Sequence, residues 1–161
     1  MNYTSESGLK LLIDNCYSQS QALAGIAASA QLDGNTLVVT TSVKAAETAD
    51  FRIGAWLLED GIYGRQSNYN QAAWPGDYNT HDNCIRIADS RVSNYNYTGH
   101  SLGTIEAGET AEYAFVMDLD DSWVTENLHL VIFVTTPEDN AWVVNNVVSC
   151  DADGSVAFDY E

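Results

Sequence analysis

Ile26-Ala27-Ala28-Ser29-Ala30-Gln31-Leu32-Asp33-Gly34-Asn35-Thr36-Leu37-Val38-Val39-Thr40-Thr41-Ser42-Val43 is the stretch whose reading decides the fold. Ile26, Ala28 and Ala30 alternate along one side, and Asp33-Gly34-Asn35 is a hairpin turn signal. Leu37, Val39, Thr41 and Val43 then line one face of the returning run. A period of two sends successive side chains to opposite faces of a sheet, so the pattern predicts two antiparallel strands with one buried face.

The same period continues downstream. Phe51, Ile53, Ala55 and Leu57 predict a third strand after the polar 45–50 connection, and Asn83–Asp89 a fourth. Ala111, Tyr113, Phe115 and Met117 restore the alternation. Leu128, Leu130, Ile132 and Val134 give the strongest strand, with Val131 and Phe133 on its other face. A turn at Pro137-Glu138-Asp139-Asn140 leads to the last two strands, Trp142–Ser149 and Val156–Tyr160. Two polar excursions interrupt the series, Tyr63–Thr80 and Arg91–Gly108. Seven or eight short strands without alternating helices predict an all-β, antiparallel immunoglobulin-like β-sandwich.

Upstream, Leu9, Leu12, Ile13, Cys16 and Tyr17 fall at helical spacing, which predicts one amphipathic helix over Ser5–Ser20 with Ser5 as its N-cap. The chain therefore divides into an N-terminal helix at 1–22, read as the tail of an upstream domain, and a sandwich domain at 23–161.

With 161 residues the chain is long enough for one well-filled core. Asp and Glu number 23 against 6 Lys and Arg, a formal charge of −17. Phosphate backbones and anionic lipid repel such a chain, which argues against nucleic acid and against direct membrane insertion. No run approaches the roughly 20 apolar residues of a membrane-spanning helix, and Met1-Asn2-Tyr3-Thr4 does not open like a signal peptide. Cys16, Cys84 and Cys150 lack the paired spacing of a zinc site, and their disulfide status stays open. No cofactor or metal is expected.

Gly99-His100-Ser101-Leu102-Gly103 matches the G-x-S-x-G pattern of esterases, which raises its serine on a strand-to-helix turn. The flanking sequence is too polar and too short for that setting, so the segment reads as a glycine-bounded surface loop. An esterase centred on Ser101 would need His81 or His129 within hydrogen-bond reach. Asp151-Ala152-Asp153-Gly154 places the wrong residues for a calcium loop and reads as a β-turn. Asp118, Asp120 and Asp121 sit in another turn. Glu59 and Asp60 are adjacent, so in a strand they face apart and cannot flank one glycosidic bond.

The combination of Leu57-Leu58-Glu59-Asp60-Gly61-Ile62, Gln66 and His81-Asp82-Asn83-Cys84-Ile85-Arg86 resembles the C-terminal domain of the twenty-eight-kilodalton outer-membrane protein family of Gram-negative anaerobes. Members carry a similar L-L-E-D-G-I … Q run and then H-N-H-V-x-R. Here the second histidine of that run is Asn83. Leu130–Val134 and Trp142-Val143-Val144-Asn145 also resemble the closing segment, and the likeness spans about Ala24 to Val148. It implies a surface or periplasmic lipoprotein-type protein with an adhesion or receptor role and no established catalysis, in which a thioredoxin-like domain often precedes this module.

The expectation is a non-enzymatic cell-envelope module that binds a protein or glycan partner at the cell surface. Glu59, Asp60, Gly61, Gln66, His81 and Arg86 are expected to be structural, with Glu59 or Asp60 paired to Arg86, because cations are scarce and a guanidinium needs a carboxylate. Tyr69, Trp74 and Tyr78 mark the candidate ligand-binding loop. The alternative is a carbohydrate-binding domain in which Trp74 and the tyrosines form an exposed strip.

Overall fold

The computed structural model describes residues 6–19, 21–67, 78–94 and 96–159. Helix α1 spans Glu6–Gln19. The strands are β1 (Ala24–Asp33), β2 (Thr36–Ala45), β3 (Ala49–Glu59), β4 (Ile62–Tyr63), β5 (Thr80–His81), β6 (Cys84–Asp89), β7 (His100–Ile105), β8 (Thr110–Asp118), β9 (Leu128–Glu138), β10 (Ala141–Asp151) and β11 (Ser155–Asp159). β11-β1-β2-β8 form one sheet and β10-β9-β3-β6 the other, with β7 also paired to β3; β4 and β5 make a separate two-stranded ribbon. Every pairing is antiparallel.

The two sheets enclose the core predicted from the alternation. Ile26, Leu37, Val39, Val43, Phe51, Ile53, Leu57, Leu130, Ile132 and Val134 are fully buried, each worth about 1.5–3 kcal/mol against exposure. Thr41 keeps its place on the inner face of β2 by donating its hydroxyl to the Tyr113 carbonyl at 2.8 Å. The β1–β2 hairpin closes as expected, with Asp33 opposite Thr36 and Gly34 at φ +61°.

Three expectations need correction. Arg91–Gly108 is not a continuous loop, because β7 lies within it, and Ser101 sits inside that strand rather than on a turn. Among the described residues, nine strands of five residues or more, with the ribbon besides, stand where seven or eight were expected. The turn expected at Pro137–Asn140 is shorter, since β9 runs to Glu138 and the chain reverses at Asp139 and Asn140, at φ +45° and +69°. Pro137 is tolerated because it lies beyond the Arg52↔Thr135 end of the β3 ladder. The expected helix forms, with Leu9 and Ile13 of its apolar face about half exposed at 50% and 54%. Its proposed cap, Ser5, lies outside the described residues.

β3 positions everything that follows. One of its edges pairs with β9. The other is shared end to end: β6 covers Ala55–Glu59, and β7 covers Ala49–Ile53. Gly54 stands at the handover, where an added Cβ would lie 2.6 Å from Phe133 Cζ and from Ser90 Cβ. Gly99, at φ +95°, brings β7 in so closely that a Cβ would lie 2.6 Å from the Ile53 carbonyl oxygen. Its N–H donates to Ser90 O at 2.8 Å, and the Trp56 indole donates to Ser90 Oγ at 2.8 Å.

Candidate functional site

β3 ends in Glu59, a carboxylate only 3% exposed. A buried charge is tolerated only when its oxygens are matched. Here both are: Arg86 Nε on β6 donates to Oε2 at 2.7 Å, and the Val124 N–H donates to Oε1 at 2.9 Å. The Arg86 guanidinium also lies over the Trp123 ring at 5.4 Å. Of the two acids expected to hold Arg86, the structure gives Glu59 that place and adds the 123–124 turn as a third party.

Asp60 and Asp82 brace the next residues reciprocally. Asp60 Oδ1 accepts the Asn83 N–H at 2.7 Å, while Asp82 Oδ1 accepts the Gly61 N–H at 3.0 Å. This is the turn chemistry that short acidic side chains offer the backbone. It is possible because Gly61 and Asn83 both adopt positive φ, +73° and +57°. Asn83 Oδ1 lies 3.2 Å from His129 Nε2, and His129 Nδ1 lies 3.7 Å from Asp60 Oδ2.

Above the brace stands the ribbon, Ile62↔His81 and Tyr63↔Thr80. His81 Nε2 meets the Gly64 carbonyl at 2.9 Å, Gly64 N–H donates to Asn79 O at 2.7 Å, and Gln66 N–H donates to Asn79 Oδ1 at 3.0 Å. The six residues Glu59, Asp60, Gly61, Gln66, His81 and Arg86 thus share one bracket around the base of the 64–79 loop. Tyr69 and Trp74 lie outside the described residues. Tyr78 is half-buried, and its buried hydroxyl has no hydrogen-bond partner among the described residues.

How the neighbouring groups are arranged was not legible beforehand. Asp120 Oδ1 accepts both the side chain and the N–H of Ser122, at 2.6 and 2.9 Å. Those bonds, with a lesser pull from Arg86, hold its carboxyl below the usual range. Asn35 bonds Asp121 in the same corner. A cleft of about 510 Å³ opens beside Asp60, Asn127, His129, Cys150, Asp151 and Val156. Burial, and then Asp151, push the Cys150 thiol up. Cys84 and Cys150 are free thiols on β6 and β10, opposite edges of one sheet.

The second excursion has its own foot. Arg52 on β3 stacks over Trp142 at 4.0 Å and donates to Thr98 Oγ1 at 2.7 Å, while Thr135 Oγ1 donates to Thr98 O at 2.7 Å. Near it, His100 Nε2 lies 2.6 Å from Asp89 Oδ1 and its ring stacks on Tyr113 at 5.3 Å across the sheets.

The esterase geometry is not assembled. Ser101 pairs with Arg52 and His129 with Leu58, so six residue steps of β3 separate them, roughly 20 Å along a strand. His81 is engaged with Gly64 O. Among the described residues no group of three His, Cys, Asp or Glu side chains is placed to hold a metal ion.

The sequence profile of the family described as outer membrane protein Omp28 matches residues 5–153. Two solved structures share the fold. HBP35 of Porphyromonas gingivalis superposes with a TM-score of 0.66 at 15% identity, covering 91% of this chain and 46% of that one. A domain of the outer membrane lipoprotein Omp28 from Porphyromonas gingivalis gives a TM-score of 0.53 at 20% identity, covering 82% of this chain and 89% of that one. This chain thus spans about half the length of HBP35. No curated protein matches in sequence.

Proposed function

The chain belongs to the outer membrane protein Omp28 family, and from that premise of a cell-envelope module we propose that it is a non-enzymatic interaction domain whose 64–79 loop receives a protein or glycan partner at the cell surface. The observation that carries the reading is the bracket itself. Glu59, Arg86, Asp60 and Asp82 bond one another and local backbone, which supports a rigid base beneath a stretch rich in aromatic residues. Loops held by a rigid frame are where binding residues concentrate. The charge of −17 directs the partner away from nucleic acid.

The test compares the intact chain with one in which residues 67–77 are replaced by a short Gly-Ser turn, on a glycan array and in pull-downs against matrix proteins. Binding lost on replacement, with the melting transition retained, supports the loop. Binding indifferent to the replacement moves the site elsewhere, and silence of the intact chain in both assays leaves the domain a structural role. Hits confined to the glycan array would favour carbohydrate recognition, for which the Trp and Tyr residues of the 64–79 stretch offer flat apolar faces with polar tips.

A further inference from the structure

Most sheet edges in this molecule are guarded against another strand. β11 is short, and the register of β1 against it shifts between Ile26 and Ala28. β10 carries a bulge between Val144 and Asn146, and the Asn145 and Asn146 side chains bond Gln21 O, Leu23 N and Ala24 O. β6 and β7 each pair with β3 through a register shift. Bulges, short strands, prolines and lysines are the usual means of blocking edge-to-edge addition.

β8 has none of these. It runs nine residues, Thr110–Asp118, with an unbroken register against β2 from Lys44↔Thr110 to Thr36↔Asp118, and contains no Pro, Gly, Lys or Arg. The bonds Ala45 N to Glu109 O and Leu119 N to Asn35 O fix which residues face β2. By antiparallel alternation the odd positions 111–117 bond β2, so the N–H and C=O groups of Glu112, Ala114 and Val116 point away from it. Among the described residues no hydrogen bond reaches them from the far side. Val116 is 63% exposed and sits opposite Val38 at 37%, leaving apolar surface beside this open ladder.

We propose that the free edge of β8 accepts an extended segment of another protein as a fifth strand of its sheet, and that this segment is basic. Main-chain bonds would supply affinity, and side chains would supply choice. Glu109, Glu112 and Asp118 flank the open ladder, and Lys44 is the one cation in the sheet, so Lys or Arg opposite Glu112 is matched while an acidic strand is repelled. A second copy is disfavoured because two chains of −17 would meet edge to edge. The inference rests on the interaction-module reading but uses a surface other than the loop.

The probe is an acetylated, amidated heptapeptide alternating Lys and Val, with a Glu–Val twin as control, followed by amide exchange and backbone NMR. The Lys–Val peptide is expected to protect the Glu112, Ala114 and Val116 amides, and the twin to leave them unprotected. Ala114→Pro removes an outward N–H without costing a bond to β2 and should weaken binding at least tenfold. Val116→Lys, a conventional edge guard, should do the same and covers the case in which the proline variant fails to fold. Equal protection by both peptides, protection elsewhere, no protection at millimolar peptide, or a native dimer that Ala114→Pro dissolves would each overturn the proposal. If loop replacement still abolishes array or pull-down binding in those cases, the module reading stands without this edge.

Discussion

The outer edge of β3 carries two excursions built on opposite principles. The first, 60–83, leaves and returns through matched charge and carboxylates that accept backbone N–H groups: Glu59 with Arg86, Asp60 with Asn83, Asp82 with Gly61. The second, 90–99, leaves and returns through absence of side chain, with Gly54 and Gly99 letting Phe133, Ser90 and the Ile53 carbonyl close in. A polar bracket depends on solvent conditions and tolerates modest change of shape. A glycine junction is indifferent to salt and admits almost no added atom.

The sharpest way to break this contrast is Gly99→Ala. The new methyl would meet backbone at 2.6 Å on a residue at φ +95°, costing about 3 kcal/mol between overlap and backbone strain. The denaturation midpoint should fall to the same extent at low and at high salt. A loss under about 1 kcal/mol would show that β7 can shift along β3.

Glu59→Ala comes next. It strands Arg86 and the Val124 N–H, but Arg86 keeps 30% of its side chain in water, so the 3–5 kcal/mol of a fully buried pair falls to about 2 kcal/mol. The wild-type chain, unlike the alanine variant, should lose part of this margin as salt is raised. An identical salt response in both would mean that the bracket is not electrostatic.

Asp60→Ala removes the acceptor of the Asn83 N–H and should cost about 1 kcal/mol. The loss should appear first as faster amide exchange at Asn83. Unchanged exchange there would assign the turn to its backbone alone.

The Asp120 carboxyl supplies a pH test. Its folded value lies below the ordinary 3.8, so its contribution to stability is complete above that value and is lost as pH falls through the folded one. Ser122→Ala removes the leading cause and should move the carboxyl titration, followed by NMR, back up toward 3.8. An unmoved titration would assign the shift to the Ser122 N–H and Arg86, which this substitution leaves in place.

The smallest effect is expected at Asn83→Gly, within about 0.5 kcal/mol, because relief of a positive φ offsets loss of the His129 contact. A larger loss would give His129 the greater part in holding this turn. The left-handed region favours Asn and His several-fold over other residues, which accounts physically for asparagine standing where the resembling motif has its second histidine.

Most strands could be read directly because their inner residues are large and alternate. β7 could not. Its Ser101, Gly103 and Thr104 are exposed, it has no continuous apolar face, and it is a strand because β3 offers it an edge, which is tertiary context overriding local preference. Half of the bracket was legible: with six cations in the chain, Arg86 had to find an acid nearby. Trp123 and Val124 were not, since they arrive from a turn 65 residues away from Glu59 and no local period marks them. The helix shows the limit of periodicity from the other side, because its apolar spacing is real while Leu9 and Ile13 stay about half exposed.

The first sheet closes β1 against β11, with Ala28 opposite Val156 and Ile26 opposite Asp159. The hydrophobic floor laid down by the opening hairpin therefore waits for the last strand before its sheet is whole. Contacts this distant in sequence make for slow folding, on the millisecond-to-second scale of β-sandwiches. A chain emerging amino end first holds this sheet incomplete until β11 has been made, and commitment to the native state waits for that strand.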